Sequence, residues 1–221
     1  MGTSAEMLAR VGPLWEEMLR HPFLVETRDG ALPDATFARW MRQDYLFVEA
    51  AIPFMGTLLA KSPAGHRKPL ADAIAAFHSE LGLFRERAAA VGVDLDGVWP
   101  SFVCHAYVQF LLATGALASY AEGFTVLYAA EKAYHDSWKV VKSGIDPGSP
   151  WIGFVENWAS DAFAGWVRWL ETELDGLGDQ AGRAERARMA DLFETTVRYE
   201  TAFWELAYGR AEGWPGIREV A

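Results

Sequence analysis

Asp34-Ala-Thr-Phe-Ala-Arg-Trp-Met-Arg-Gln-Asp-Tyr-Leu-Phe-Val-Glu-Ala-Ala51 is the stretch whose reading decides the fold. Phe37, Trp40, Met41, Phe47, Val48 and Ala51 recur at spacings of three and four, the period of one helix face. Asp34, following Leu32-Pro33, is expected to N-cap a long helix that runs to about Lys61. Pro53 lies inside it and is expected to kink or divide it, since it removes a backbone donor. The same period governs the rest of the chain. A first helix is expected over roughly Ser4 to Arg20, stopped near His21-Pro22, and a third over about Ala64 to Ala90, ended by Gly92. Pro100-Ser101 opens a helix reaching Thr114-Gly115, and Ser119 begins another that extends to about Lys142. After the Gly/Ser/Pro loop at 143–150, helices are expected over Trp151 to Leu174 and Gln180 to Gly209, separated by a Gly/Asp-rich turn. Residues from Gly213 through Pro215 and Gly216 read as an irregular tail. With no strand-period run and no fixed repeat, the prediction is an all-α bundle of about seven helices in a single domain covering 1–221.

Four acids interrupt the apolar stripes. Asp44 falls in line with the residues quoted above. Glu131 lies on the stripe Phe124, Leu127, Tyr128, Tyr134, Trp138, and Glu200 on Phe193, Val197, Phe203, Trp204, Ala207. Glu80 is bracketed by Phe77, Leu81 and Phe84. Burying an unpaired charge is costly, so several such acids on different helices predict a shared acidic pocket with shifted pKa values, fit for proton transfer. The structural alternative is local neutralisation: Arg39 or Arg42 for Asp44, Lys132 or Arg198 for the others. Tyr107, Tyr134 and Trp158 have polar tips that need partners if buried.

Composition excludes whole classes of function. A net charge of −10, spread along the chain, disfavours nucleic acid and anionic membranes as partners. No apolar run approaches a membrane span, and no signal pattern is visible over Met1 to Arg20. A lone cysteine, Cys104, fits a reducing compartment, so a soluble, cytoplasmic protein is expected. Phosphate-loop, nucleophile-elbow and His-Glu-x-x-His patterns are absent. Cys104 and its neighbour His105 point about 100° apart on a helix, so Cys104 reads as a structural thiol. Glu131 and His135 share a helix face at i and i+4, a spacing used by metal sites in bundles; a metal-dependent oxygenase is therefore one alternative.

Several segments together resemble the TenA/thiaminase II family. Trp40-Met-Arg-Gln-Asp-Tyr-Leu-Phe47 resembles its first signature, and Arg198-Tyr-Glu-Thr-Ala-Phe-Trp-Glu-Leu-Ala207 its last. Between them, His105-Ala-Tyr-Val-Gln-Phe-Leu-Leu112 resembles its helix with a pocket tyrosine, and Phe154-Val-Glu-Asn-Trp158 with Asp161-Ala-Phe163 another pocket segment, with tryptophan where a tyrosine is usual. The match runs in order over about 34–208. Most members place a Pro-Cys pair, whose cysteine is the nucleophile, where this chain has Ala129-Ala130. Ala130-Glu-Lys-Ala-Tyr-His-Asp-Ser-Trp138 and His78-Ser-Glu-Leu-Gly-Leu-Phe-Arg85 instead resemble the glutamate-type branch without that cysteine.

The resemblance implies a haem-oxygenase-like helical fold and a pocket for small-molecule aminopyrimidines, with no cofactor and no metal. It implies hydrolytic salvage of the thiamin pyrimidine, releasing ammonia from an aminomethyl pyrimidine or removing a formyl group from its precursor. It further implies that Asp44 bonds the aminopyrimidine edge, that Phe47, Tyr107, Tyr134 and Trp158 line or stack on the ring, and that Glu200 is the principal acid/base with Glu131 or Glu80 as its partner. A homodimer or homotetramer is expected on the same ground. A binding protein that keeps the pocket without the chemistry is the non-enzymatic alternative.

Overall fold

The computed structural model describes residues 2–209, so the predicted tail from Gly213 lies outside the described residues. Those residues are helical, without a strand: α1 (Thr3–Arg10), α2 (Gly12–Leu19), α3 (Pro22–Arg28), α4 (Asp34–Lys61), a 3-10 turn (Ala64–His66), α5 (Arg67–Val91), α6 (Phe102–Leu117), α7 (Tyr120–Lys142), α8 (Ile152–Trp158), α9 (Asp161–Gln180) and α10 (Arg183–Ala207). The all-α expectation holds, with ten α-helices among the described residues in place of about seven. None of them is long and apolar enough to cross a membrane.

The additional helices come from breaks that the period alone hides. Pro13 cannot donate to the turn before it, so the predicted first helix divides at Val11. His21-Pro22 is a start as well as a stop: Pro22 is the first residue of α3, and His21 Nδ1 caps the N–H of Phe23 at 3.2 Å. The predicted helix from Trp151 divides at Ala159, where Ser160 Oγ accepts from the N–H of Phe163 at 3.1 Å and caps α9. Elsewhere the structure is simpler than expected. Pro33 takes the cap position of α4 and Asp34 its first turn, and α4 runs through Pro53 without dividing.

By its own contacts the chain forms two compact units, residues 2–32 with 117–201, and 33–116 with 202–209. In the first, α7 packs against α2, α3, α8 and α9, which is why nearly every one of its faces is apolar. Its start is fixed by a capping box. Ser119 Oγ accepts from the N–H of Glu122, and the Glu122 carboxylate accepts from the N–H of Ser119 at 2.9 Å. The Gly/Asp-rich stretch expected as a turn is instead the last part of α9. Thr3 packs where Gly178 has no Cβ, Asp175 accepts from the Ser4 N–H at 2.8 Å, and Arg186 donates to the carbonyl of Gly178 and to Thr3. Glycine is there to let α1 approach, not to turn the chain.

In the second unit α4 packs along α5 around Phe37, Trp40, Phe84 and Trp204. Gln43 fixes the entry to α6: its amide donates to the carbonyl of Trp99 at 3.1 Å and its oxygen accepts from the N–H of Ser101 at 2.7 Å. Lys61 Nζ donates to the carbonyls of Gly115 and Ala116, the open end of that helix. A Cβ at Gly115 would lie 2.9 Å from the Phe54 ring, so α6 meets α4 there through backbone.

Candidate functional site

In the second unit, α4 carries Asp44 and Phe47 one turn apart, both buried, Asp44 completely. Phe47 lies 4.6 Å between ring centroids from Tyr107 on α6 and 5.4 Å from Phe203 near the end of α10; Tyr107 meets Phe203 edge-on at 6.4 Å. One turn before Tyr107, Cys104 directs its Sγ at the carbonyl of Gln43, 3.5 Å away. Burial, and then the negative charge of Asp44, push its thiol up to about 12. The thiol is therefore protonated at neutral pH. Glu80 is buried on α5, one turn ahead of Phe84. The local neutralisation expected from Arg42 goes elsewhere: its Nε donates to the carbonyl of Asp94.

The first unit assembles a second group on α7. Glu131 is buried, and its Oε2 accepts from Trp166 Nε1 on α9 at 3.1 Å. Trp166 in turn stacks on Trp169 with centroids 5.1 Å apart. One turn on, Tyr134 meets Trp158 of α8 edge-on at 5.4 Å. Trp158 stacks on both Trp138, at 5.1 Å, and Phe154, at 5.5 Å, so its ring is fixed from two sides. His135 holds the backbone of the same residue, with Nδ1 2.9 Å from the Trp158 carbonyl. Glu200 is wholly buried on α10, one turn after the equally buried Val197. The cations proposed as neutralisers serve other acids: Lys132 pairs with Asp136, and Arg198 with Glu194 at 2.8 Å.

All four stripe acids are therefore buried, as the period requires. Phe47 is brought together with Tyr107, and Tyr134 with Trp158; the charge of Asp44 acts on Cys104. Two participants were not singled out from the sequence. Phe203 closes the aromatic group of Phe47 and Tyr107, and its place on the Glu200 stripe was the available signal. Trp166 carries no such signal, because its contact with Glu131 joins helices 35 residues apart. The metal alternative finds its two residues turned to other tasks: Glu131 to an indole N–H and His135 to a carbonyl. Among the described residues no three His, Cys, Asp or Glu side chains are grouped to hold an ion.

Flat aromatic walls and buried carboxylates suit a small heteroaromatic ring bearing hydrogen-bond donors. Residues 8–210 match the model of the TENA/THI-4/PQQC family. The chain is 27% identical over 216 residues to an aminopyrimidine aminohydrolase of Halalkalibacterium halodurans, covering 94% of this chain and 96% of that one. It is 24% identical over 216 residues to a probable bifunctional TENA-E protein of Glycine max, covering 95% and 94%. A solved TenA homologue from Pyrococcus furiosus superposes with a TM-score of 0.90 at 33% identity, over 93% of this chain and all of that one. A solved domain from Shewanella denitrificans with a haem-oxygenase-like fold gives 0.76 at 14% identity, over 93% and 91%, which bears out the expected fold.

Proposed function

This chain belongs to the TENA/THI-4/PQQC family, and from that premise we propose that it is a hydrolase of thiamin-derived aminopyrimidines, acting through carboxylates without a nucleophilic cysteine. The bacterial relative's name supports the aminohydrolase reaction, and the Glycine max relative's name supports the glutamate-type assignment. The observation that carries the reading is the state of the chain's one thiol. Cys104 is fully buried with its pKa pushed up to about 12, while Ala129-Ala130 stands where a Pro-Cys pair would be.

The reaction exchanges one C–N bond for one C–O bond. Water supplies the oxygen and gives up a proton, and the departing amine takes a proton and leaves as ammonia. One carboxyl group must deprotonate the water and another must protonate the amine. Glu200 is assigned as the principal acid/base and Glu131 as its partner, with the Trp166 N–H orienting the Glu131 carboxylate. Asp44 accepts from the exocyclic amino group of the pyrimidine. Phe47 with Tyr107 in the second unit, and Tyr134 with Trp158 in the first, are the aromatic pairs that the resemblance assigns to the ring. Glu80 is assigned to the same machinery on its burial and its segment. With a formylaminomethyl substrate the same water attacks the formyl carbon and the amine again departs protonated.

The test is Glu200→Gln assayed for ammonia release from aminomethyl-aminopyrimidine. A loss of about 100-fold or more in kcat is expected, the scale of general acid–base catalysis, with helical circular dichroism and its melting unchanged. Full activity in a folded variant overturns the assignment.

A further inference from the structure

A cavity of about 410 Å³ opens in the first unit, further along α7 on the helix face that carries Glu131, and Glu131 and Tyr134 are not among its lining residues. It lies between the last turns of α7 and the start of α9, lined by Lys139, Lys142, Arg168, His135, Ser160 and Asp161 among others. Three full positive charges face one hollow in a chain whose net charge is −10. Lys139 and Arg168 make no ion pair among the described residues, although acids elsewhere on this surface capture cations readily, as Arg198–Glu194 and Lys132–Asp136 show. Lys142 is anchored through one N–H to the carbonyl of Ala159 at 2.8 Å, which holds its charge at the rim. The first turn of the 20-residue α9 adds the positive end of its dipole.

His135 is the second, independent sign. It is nine-tenths buried, lines the cavity, and keeps Nδ1 on the Trp158 carbonyl, where that nitrogen must carry the proton. Its Nε2 makes no hydrogen bond among the described residues. A nearly buried imidazole whose second ring nitrogen makes no hydrogen bond, on the wall of a cavity with three cations, leaves a polar atom open to a ligand. Asp161 is the opposing charge and is outnumbered three to one. The volume is within the range of small-molecule sites, larger than a bare oxyanion requires.

We propose that this cavity is a binding site for a phosphomonoester or diphosphate, with Lys139 and Arg168 clasping the phosphoryl oxygens, the α9 N-terminus facing them and His135 Nε2 at the base accepting from a P–OH of the monoprotonated group. Arg supplies two parallel donors for such a group and Lys a mobile point charge. The proposal does not rest on the catalytic reading, since none of the cations takes part in it.

Isothermal titration of the whole chain with inorganic phosphate, inorganic diphosphate and phenyl phosphate tests it. One saturable site is expected, weakened about tenfold or more by Lys139→Ala with Arg168→Ala, while melting temperature and ligand-free ammonia release stay as they were. Asp161→Asn is expected to tighten binding severalfold, which a purely structural surface would not show. Tighter binding of phenyl phosphate than of inorganic phosphate identifies an organic phosphomonoester, and equal binding identifies the inorganic ions. Absence of saturable binding to all three probes, or binding undiminished in the double variant, overturns the proposal.

Discussion

Two buried glutamates of α7 stand nine residues apart and are held in opposite ways. Glu122, at the helix start, is met by the guanidinium of Arg188 and by the N–H of Ser119, and completes a capping box. Burial alone would push its carboxyl up, but the Ser119 N–H and Arg188 bring it below the usual glutamate value. Glu131, in the middle of the helix, is met by a neutral indole N–H. A carboxylate tied to a cation and a helix end is held ionised as part of the architecture. A neutral donor such as this indole orients a carboxylate without itself supplying a counter-charge, which suits an acid/base group. Burial by itself does not mark a catalytic acid; the partner does.

The comparison breaks most decisively at Glu131. Glu131→Gln keeps the shape and the Trp166 contact but cannot move a proton. Ammonia release is expected to fall about 100-fold with the fold intact, while the same change at Glu122 leaves the activity of the folded protein unaltered. Equal losses of activity at both positions would erase the distinction. Trp166→Phe is the gentler form of the same test. It removes the indole donor and keeps an aromatic ring against Trp169, so kcat is expected to drop about tenfold, the scale of one hydrogen bond to a charged group, with KM little changed. A loss confined to KM would make Trp166 a wall of the pocket rather than a holder of Glu131.

At the other end of α7 the expected effect is on stability. Glu122→Ala removes the cap contact and the Arg188 pair together and is expected to cost about 2 kcal/mol in denaturant unfolding. The pH dependence carries the sign. Glu122 titrates lower when folded than its unfolded value of about 4.3, so its stabilising contribution is complete above that pH and drains away as pH falls through the depressed folded value. Glu122→Gln should therefore flatten the acid side of the stability profile below about pH 4.3 and leave the neutral side parallel to the parent. An unchanged acid limb would show that Arg188 and Ser119 contribute nothing there.

The extent to which the sequence revealed these things follows the range of the forces involved. The span of α7 was legible because Ser119 and Glu122 act within one turn, and Asp44, Glu80, Glu131 and Glu200 because a helix buries one stripe. The turn expected near Gly176 and Gly178 failed because Gly178 answers to Thr3, some 170 residues away, and not to its neighbours. Trp166 was invisible for the same reason: nothing within its own helix announces a carboxylate across the interface with α7. Local chemistry can be read along the chain, whereas the choice of partner for a buried polar atom is made by packing.

The smallest effect belongs to the residue that most relatives of this family would make the largest, by the resemblance that gives them a nucleophilic thiol. Cys104 is on α6, fully buried, with its sulfur toward the Gln43 carbonyl and its pKa near 12. At pH 8 such a thiol is ionised in only about one molecule in 10⁴, so neither nucleophilic attack nor alkylation is available to it. Cys104→Ala removes one buried sulfur, expected to cost about 1 kcal/mol of stability, and should leave ammonia release within about twofold, since no step of acid/base transfer runs through it. Native protein should resist a thiol-specific alkylating reagent at pH 8 that labels the unfolded chain at once. Rapid labelling of the folded protein with parallel loss of activity would return the chemistry to the thiol and take it from the carboxylates of α7 and α10.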